Sequence, residues 1–293
     1  MSEKKRALAL GFFDGMHRAH RAVVGAAVAY ASAHDMIPTA VTFDHHPQAA
    51  LQGSRDRLIN TLEERIEAFR ALGVEDVIVL PFDTVRDIPW DVFLQETVLG
   101  TLRAGFVATG YDFRFGEGGK GTAQMLADAL KDRGIAYEMI ARMADDGMEY
   151  ASGMIRAKIA EGDMASACRM LGRPHYITGE VIHGKALGRT IGSPTMNVAF
   201  SPDVILPRAG VYATHVVIDG TAYPSVTNVA GGDRPLAEAY VFDFNRDVYG
   251  KIVRIEFLEF LRDMRPFASL DALRAQITAD KETARAYFAN AAK

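Results

Sequence analysis

The chain has 293 residues, of which 49% are hydrophobic and 24% are charged, and its formal net charge is −4 at pH 7. This length exceeds what one hydrophobic core usually organises, so we expect two domains, and the composition is that of a globular protein. The small acidic excess argues against binding of nucleic acid or of a membrane surface, but it permits local basic pockets for phosphate.

The single cysteine, Cys168, lies in a helix-like stretch. One thiol cannot form an internal disulfide, so we interpret it as a small apolar side chain. The basic N-terminus is followed by an apolar run that is too short for a signal peptide, and no segment approaches the roughly 18 apolar residues of a membrane span. We therefore expect a cytoplasmic protein.

The first 141 residues alternate strand-like and helix-like patterns. One helix is well delimited, because Thr61 and Glu64 form a capping box before it and Gly73 follows its last apolar position. The strand-like runs are 7–10, 40–43, 77–80, 106–109 and 137–141, and the helix-like runs are 17–33, 62–72, 91–99 and 123–133. This alternation predicts a doubly wound, mostly parallel sheet of Rossmann-like type.

The pattern changes near Tyr176, after one or two helices in 154–171. Four short strand-like runs follow, separated by turn signals such as Asp219-Gly220: 178–182, 211–218, 237–244 and 252–261. This spacing predicts an antiparallel β-barrel, and the tail 270–292 predicts a terminal helix with Ser269 as its N-cap. We place the domain boundary between 1–172 and 173–293.

The first candidate site is the junction between the first strand and the first helix, where the sequence reads GFFDGMHRAH from Gly11 to His20. Glycines permit a sharp turn and a close approach to a ligand, and a helix N-terminus attracts phosphate. His17 and His20 are three residues apart, so both can donate hydrogen bonds to a phosphate as charge develops on it. The alternative is a pair of polar residues that only cap the helix.

This segment resembles the G-x-F-D-G-x-H-x-G-H nucleotide-binding motif of the prokaryotic bifunctional riboflavin kinase/FMN adenylyltransferases, or FAD synthetases. Ala19 stands where that family usually has Gly. The stretch from Gly110 to Gly116, GYDFRFG, resembles the flavin-side motif of the same family. The resemblance implies that an N-terminal nucleotidyltransferase domain adenylylates FMN and that His17 and His20 are its catalytic residues. It also implies that the nucleotide or its metal is bound by Gly11, Phe13, Asp14, Ser152 and Arg156. The flavin would be bound by Asp112, Phe113 and Phe115. For the aromatic residues, core packing is the alternative.

One motif departs from the family. The family has a run like I-S-S-T-R-I-R that holds the ATP phosphates, whereas the chain reads YASGMIR from Tyr150 to Arg156. Ser152 and Arg156 are retained, but one cation and two hydroxyls are lost. Each lost charge-assisted hydrogen bond costs about 1.5–3 kcal/mol, so we expect the adenylyltransferase half to be weak, altered or silent.

The second candidate site begins at His183, where the sequence reads HGKALGRTIGSPTMN up to Asn197. Its glycines and cations can wrap a polyphosphate, and Thr195 and Asn197 carry oxygens that suit Mg²⁺. A flexible surface loop is the alternative. The segment closely resembles the riboflavin kinase signature, which implies nucleotide contacts from Gly184, Lys185, Gly188 and Arg189 and metal contacts from Thr195 and Asn197.

Glu238 falls where this family has its catalytic Glu. Strand alternation places Glu238, Tyr240 and Phe242 on one face. The resemblance implies that Glu238 is the general base for the ribityl 5′-hydroxyl, and that Arg262 faces the flavin. An exposed carboxylate in a cross-strand pair is the alternative for Glu238. The stretch 228–236 is shorter than in the family, which bears on flavin affinity or on which flavin is accepted.

We therefore predict an enzyme that makes FMN from riboflavin and ATP and then FAD from FMN and ATP, with Mg²⁺ as cofactor and only small molecules as partners. Two alternatives stay open: a kinase whose N-terminal half is a relic, and a non-catalytic regulator that binds flavin or nucleotide. Because a binding module needs neither metal ligands nor a base, Thr195, Asn197 and Glu238 together favour an enzyme. The sequence does not give the oligomeric state.

Overall fold

A computed structural model describes residues 4–46, 57–145, 147–183, 195–230 and 236–291. The chain divides into two compact units, Met1–Ser152 and Gly153–Lys293. The sequence-predicted boundary, after residue 172, stays a prediction. The helices between residues 152 and 172 fall mostly in the second unit.

The first unit is built on a five-stranded sheet whose strands are all parallel, in the order β3-β2-β1-β4-β7. The strands are β1 (Arg6–Leu10), β2 (Ile37–Phe43), β3 (Asp76–Leu80), β4 (Ala104–Gly110) and β7 (Ala136–Ile140). The predicted doubly wound parallel sheet is thus confirmed. The order reverses between β1 and β4, and a ligand crevice forms where strand order reverses, beyond the carboxyl ends of the strands.

Helices cover both faces of this sheet. They are α1 (Arg18–His34), α2 (Leu62–Ala71), α3 (Phe82–Val85), α4 (Trp90–Val92), which continues as a π-helix over Phe93–Thr101, and α5 (Ala123–Lys131). The capping box predicted at α2 is present, and Gly73 has φ +91° just beyond the helix. The predicted helix 91–99 is mainly π-helical, a form that the spacing of apolar residues does not reveal.

Side chains of β1 alternate between two cores, as the pleat requires. Ala7 and Ala9 pack toward α1, while Leu8 and Leu10 pack toward the π-helix and α5. Two short pairs complete the unit, β5 (Arg114–Phe115) with β6 (Gly121–Thr122) and β8 (Ala144–Asp145) with β9 (Met148–Glu149).

The second unit contains a closed antiparallel barrel in the order β10-β11-β14-β13-β12-β15. The strands are β10 (His175–Ile182), β11 (Met196–Phe200), β12 (Gly210–Ile218), β13 (Thr221–Ala230), β14 (Leu236–Val241) and β15 (Ile252–Asp263). The predicted barrel is confirmed, and β11 and β13 are strands that the sequence analysis did not identify. The predicted strand 237–244 ends early, at Val241.

Hydroxyl groups fill part of the barrel interior. The hydroxyl of Thr214 lies 2.8 Å from that of Ser225 and 2.7 Å from that of Thr227, and Ser225 also donates to the backbone carbonyl of Thr214. All three side chains are buried. Buried hydroxyls that are mutually hydrogen-bonded avoid the cost of unpaired polar groups.

Three helices accompany the barrel: α6 (Ser152–Glu161), α7 (Met164–Leu171) and α8 (Leu270–Ala291). Asp163 caps α7, and Ser269 accepts a hydrogen bond from the backbone N–H of Ala272 at the start of α8, as predicted. The apolar side of α8 packs outside the barrel on a cluster from β12, β13, β14 and the residue that follows β14: Val211, Ala213, Val226, Tyr240 and Phe242. Helix α8 therefore covers this apolar part of the outer face.

Candidate functional sites

The first predicted site lies beyond the carboxyl end of β1, at the reversal of strand order. The loop from Gly11 to His17 includes a short 3₁₀ turn, Asp14–Met16. Phe13, Gly15 and Met16 have positive φ angles of 63°, 81° and 44°. Non-glycine residues adopt this conformation only when their surroundings enforce it, which is common at ligand sites. The ring of Phe13 is buried and packs against Phe69, so Phe13 holds the turn in the core.

His17 and His20 lie together at the start of α1. Their rings stack with centroids 3.5 Å apart, and the backbone N–H of His20 donates to Nδ1 of His17 over 3.3 Å. Because Nδ1 accepts this bond, the proton of a neutral His17 ring lies on Nε2. The structure thus brings the two imidazoles together at the helix N-terminus, and their catalytic role stays a prediction.

Both histidines are neutral near pH 7. Burial lowers the pKa of His17 to about 4. Burial also lowers the pKa of His20 well below its usual value, and the neighbouring His17 and Arg65 lower it further. The His20 ring keeps some exposed edge, although its Nδ1 is buried without a hydrogen-bond partner. An anionic ligand would favour protonation and offset these effects.

Asp14 is buried, and its Oδ1 accepts hydrogen bonds from the backbone N–H groups of Ile59 (2.8 Å) and Asn60 (3.3 Å). The hydroxyl of Ser152 donates to the backbone carbonyl of Asp14 over 2.9 Å. The retained Asp14 and Ser152 therefore both fix the loop itself. Arg156 lies one turn beyond Ser152 on α6, so their side chains share a helix face.

The positions that depart from the family have room for larger side chains. A Cβ added at Gly153 would meet no atom within 4 Å. Met154 is 43% exposed. Among the residues that the structure describes, no neighbour therefore stands in the way of a larger side chain at position 153, and position 154 is exposed.

The sequence analysis missed Arg65, although it is fully buried beneath the same loop. Its guanidinium donates to the backbone carbonyl of Phe12 (2.7 Å), the hydroxyl of Thr42 (3.2 Å) and the backbone carbonyl of Phe43 (3.3 Å), and it lies 4.1 Å from the ring centroid of Phe12. Burial lowers its pKa to about 10, so it remains charged at pH 7. A signal was available, because Arg65 falls on the apolar helix face of Leu62, Ile66 and Phe69.

The predicted flavin-side motif follows β4. Asp112, Phe113 and Arg114 line an open cleft of about 310 Å³. Phe115 instead is 6% exposed and packs in the core with its ring 5.6 Å from that of Phe113. Gly116 has φ +72°, and a Cβ there would lie 2.6 Å from the backbone of Trp90, so only glycine fits.

The second predicted site lies on the outer face of the barrel. Asn197 on β11 is the direct cross-strand partner of Glu238 on β14, and Glu238 is the direct partner of Asn228 on β13. Cross-strand partners point to one face with Cβ atoms about 5 Å apart. Thr195 comes two residues before Asn197, immediately before β11 begins. The register thus brings Asn197 and Glu238 together, with Asn228 as a neighbour that the sequence analysis did not assign.

Arg262 lies on this same face but is engaged elsewhere. Its Nε and Nη2 donate to the two carboxylate oxygens of Asp280 on α8 over 2.7 and 2.6 Å, and its Nη1 donates to the backbone carbonyl of Asp263. Asp280 also accepts from Gln276. Arg262 therefore anchors α8, and its role at a flavin stays a prediction.

The predicted phosphate loop residues Gly184, Lys185, Gly188 and Arg189 lie outside the described residues, as does most of the shortened stretch 228–236. His183, which precedes the loop, stacks on Tyr249 with ring centroids 3.8 Å apart. Within the described segments, no helix combines the length and the hydropathy of a bilayer-spanning segment.

Comparisons with known proteins match both units. The FAD synthetase family matches residues 1–153 and the riboflavin kinase family matches residues 171–288. The bifunctional riboflavin kinase/FMN adenylyltransferase of Bacillus subtilis is 34% identical, and the alignment covers 99% of this chain and 95% of that protein. Proteins of the same description from Haemophilus influenzae and Escherichia coli K12 are 35% and 32% identical, each covering 96% of this chain, and 94% and 92% of their own lengths. A crystal structure described as a macrolide-efflux protein from Streptococcus pneumoniae has a TM-score of 0.88 at 30% identity and covers 97% of this chain and 95% of its own.

Proposed function

Because the chain belongs to the family of bifunctional riboflavin kinase/FMN adenylyltransferases, we propose that its barrel phosphorylates riboflavin to FMN and that its parallel-sheet unit adenylylates FMN to FAD. Both family matches are present on one chain, in the same order as in full-length relatives. The observation that carries the residue assignments is the cross-strand register of Asn197 and Glu238.

In the kinase reaction, Glu238 accepts the proton of the ribityl 5′-hydroxyl as that oxygen attacks the γ-phosphorus of ATP. The bond between the γ-phosphorus and the β,γ-bridging oxygen breaks, and ADP leaves. Glu238 is half-buried on β14, and its direct cross-strand partner on each neighbouring strand carries an amide side chain. A base of this kind acts mainly through its position near the hydroxyl.

The oxygen atoms available at this site suit magnesium better than a metal that is held by several charged protein ligands. No cluster of three or more His, Cys, Asp or Glu side chains occurs in the described ranges. Thr195 and Asn197 supply only neutral oxygens, which suits an ion that keeps water and substrate phosphates as ligands. Thr195 and Asn197 would hold the ion, which would neutralise charge on the substrate phosphates. Lys185 and Arg189, outside the described residues, would contact the same phosphates.

In the adenylyltransferase reaction, a phosphate oxygen of FMN attacks the α-phosphorus of ATP, and pyrophosphate leaves. The Nε2–H of neutral His17 can donate to an α-phosphate oxygen, and the positive N-terminal end of α1 adds to this attraction. His20 stacks on His17 and fixes its ring. Asp14, Ser152 and Arg65 hold the loop in place, so its strained backbone is ready for the nucleotide.

The cleft after β4 is the proposed FMN site of this unit. Asp112 is exposed, and the ring of Phe113 is partly exposed at the cleft wall, where it can contact an isoalloxazine ring. Phe115 supports Phe113 from the core. Because the phosphate-binding run lacks one cation and two hydroxyls, we propose that FMN adenylylation is slow relative to riboflavin phosphorylation.

The test is incubation of the purified chain with riboflavin, ATP and Mg²⁺, followed by chromatography. FMN with slowly accumulating FAD is expected. FMN alone would indicate a kinase-only enzyme, and no product would indicate a regulator. Glu238→Gln should abolish FMN formation, whereas the matched control Glu180→Gln, an exposed carboxylate on β10, should keep it. Normal turnover of Glu238→Gln would remove this residue from the mechanism.

A further inference from the structure

Tyr111 lines the cleft after β4, and its side chain is held in place there. It directly follows β4, and its backbone N–H donates to the carbonyl of Ile140 at the end of β7 over 3.0 Å. The residue is 43% exposed and shares the cleft wall with Phe113 and Met139. Its phenol donates a hydrogen bond to Oε1 of Glu149. Exposed side chains ordinarily change rotamer freely, so this bond fixes a part of the wall that would otherwise move.

The acceptor, Glu149, is held from its other side by a cation. It lies on β9, where it is the direct cross-strand partner of Ala144 on β8. Arg142 donates to its second carboxylate oxygen, Oε2, so the two oxygens have different partners. Ion pairs at exposed positions contribute little to the stability of a fold. A role at the cleft therefore explains this arrangement of Tyr111, Glu149 and Arg142 better than a role in folding.

The segment that carries Glu149 is anchored in the first unit. Tyr150, the next residue, is buried. Ser152, three residues after Glu149, donates to the backbone carbonyl of Asp14 over 2.9 Å, which ties the segment to the loop of the first site. Glu149 therefore projects from backbone that is fixed at its next residues, and it can hold Tyr111 in place rather than follow it.

We infer, on the basis of the proposed adenylyltransferase function, that Tyr111 binds the flavin ring of FMN and that Glu149 is a positioning residue that acts through the Tyr111 phenol. The wall formed by Tyr111, Phe113 and Met139 is largely apolar and suits a flat aromatic ring. A tyrosine that is already fixed loses little side-chain freedom when the ligand binds, so the bond to Glu149 raises the affinity for FMN. Neither residue reaches the reacting phosphates in this role.

The experiment measures KM and kcat for FAD formation from FMN and Mg·ATP in Tyr111→Phe, Glu149→Ala and the double variant. Tyr111→Phe keeps the ring and removes the donor, whereas Glu149→Ala removes the acceptor. Each should raise KM for FMN about three- to tenfold, as expected when one side chain must be ordered on binding, while kcat and KM for ATP change less than about twofold. The double variant should resemble the single variants, because both substitutions break the same bond.

Two matched controls should keep the parental KM for FMN: Tyr30→Phe on α1 and Glu138→Ala, an exposed carboxylate on β7. A parental KM for FMN in Tyr111→Phe or in folded Glu149→Ala overturns the inference. Fluorescence of Trp90 checks that the first unit is folded, and Tyr111→Phe decides alone if Glu149→Ala is not. A parent chain that forms no FAD would instead refute the proposed adenylylation and the inference with it, so the two failures are distinguishable.

Discussion

Arg65→Lys tests whether the buried guanidinium, and not only its charge, holds the loop of the first site. Arginine makes three hydrogen bonds there, to Phe12, Thr42 and Phe43. A lysine ammonium keeps the charge but cannot reproduce the planar fork. It can replace one of the three bonds at most.

The magnitude follows from which groups lose their partner. Two lost hydrogen bonds to a charged donor correspond to about 3–6 kcal/mol. The carbonyl of Phe12 keeps a second donor, the hydroxyl of Thr42 at 2.9 Å, which offsets part of this loss. We therefore expect the free energy of unfolding of the first unit to fall by about 2–4 kcal/mol.

Urea unfolding followed by tryptophan fluorescence measures this directly. Trp90 is the single tryptophan and belongs to the unit Met1–Ser152, so its signal reports on that unit. Arg21→Lys, at an exposed position of α1, is the matched control. A loss below about 0.5 kcal/mol, the usual range for a surface substitution, would refute the reasoning. The Thr42 hydroxyl is bonded both to Arg65 and to the carbonyl of Phe12. The double variant Arg65→Lys with Thr42→Val should therefore show non-additive changes in the free energy of unfolding.

The double substitution Gly153→Thr with Met154→Arg should raise the rate of FMN adenylylation at least about tenfold, since each regained charged hydrogen bond gives about 1.5–3 kcal/mol. An unchanged rate of FAD formation would show that the departures from the family at these two positions do not slow the reaction. Acidification should destabilise the barrel through His175, whose pKa is lowered by burial to about 3. The folded state then binds fewer protons than the unfolded state between pH 3 and 6.5, so about 1.4 kcal/mol is lost per pH unit as the pH falls through this window. In urea unfolding by circular dichroism, His175→Gln should flatten this dependence, and an equal slope would exclude His175. Arg262→Gln should loosen α8 by about 2–3 kcal/mol, because it leaves Asp280 largely buried without its cation. Hydrogen exchange of the backbone amides of residues 270–291 measures this. Unchanged protection would show that α8 is held by its apolar side rather than by Arg262.

The architecture of both units could be predicted because local signals agreed with the global fold. The capping box at Thr61 and the N-cap at Ser269 satisfy orphan backbone groups within a few residues, so they need no tertiary context. The missed strand β13 shows the limit. Pro224 interrupts its pattern and argues against a strand, yet Pro224 lies near the point where pairing with β14 ends, at Ser225 and Val241.

The sites were predictable as residue types but not as contacts. His17, His20, Asn197 and Glu238 were identified from motifs, and the structure brings the members of each pair together. That Asp14 accepts backbone hydrogen bonds from Ile59 depends on a segment 45 residues away, which no local pattern specifies. Likewise, the partner of Arg262 lies on α8, and only the packed fold reveals it.

The two units differ in how their backbones face solvent. The barrel strands are paired in a closed ring, whereas the parallel sheet ends at β3 on one side and β7 on the other. Strand β3, with the sequence DVIVL, is only half-buried. An unpaired edge rich in β-branched residues is a template for another chain, so aggregation of partly unfolded protein should begin at the sheet rather than at the barrel.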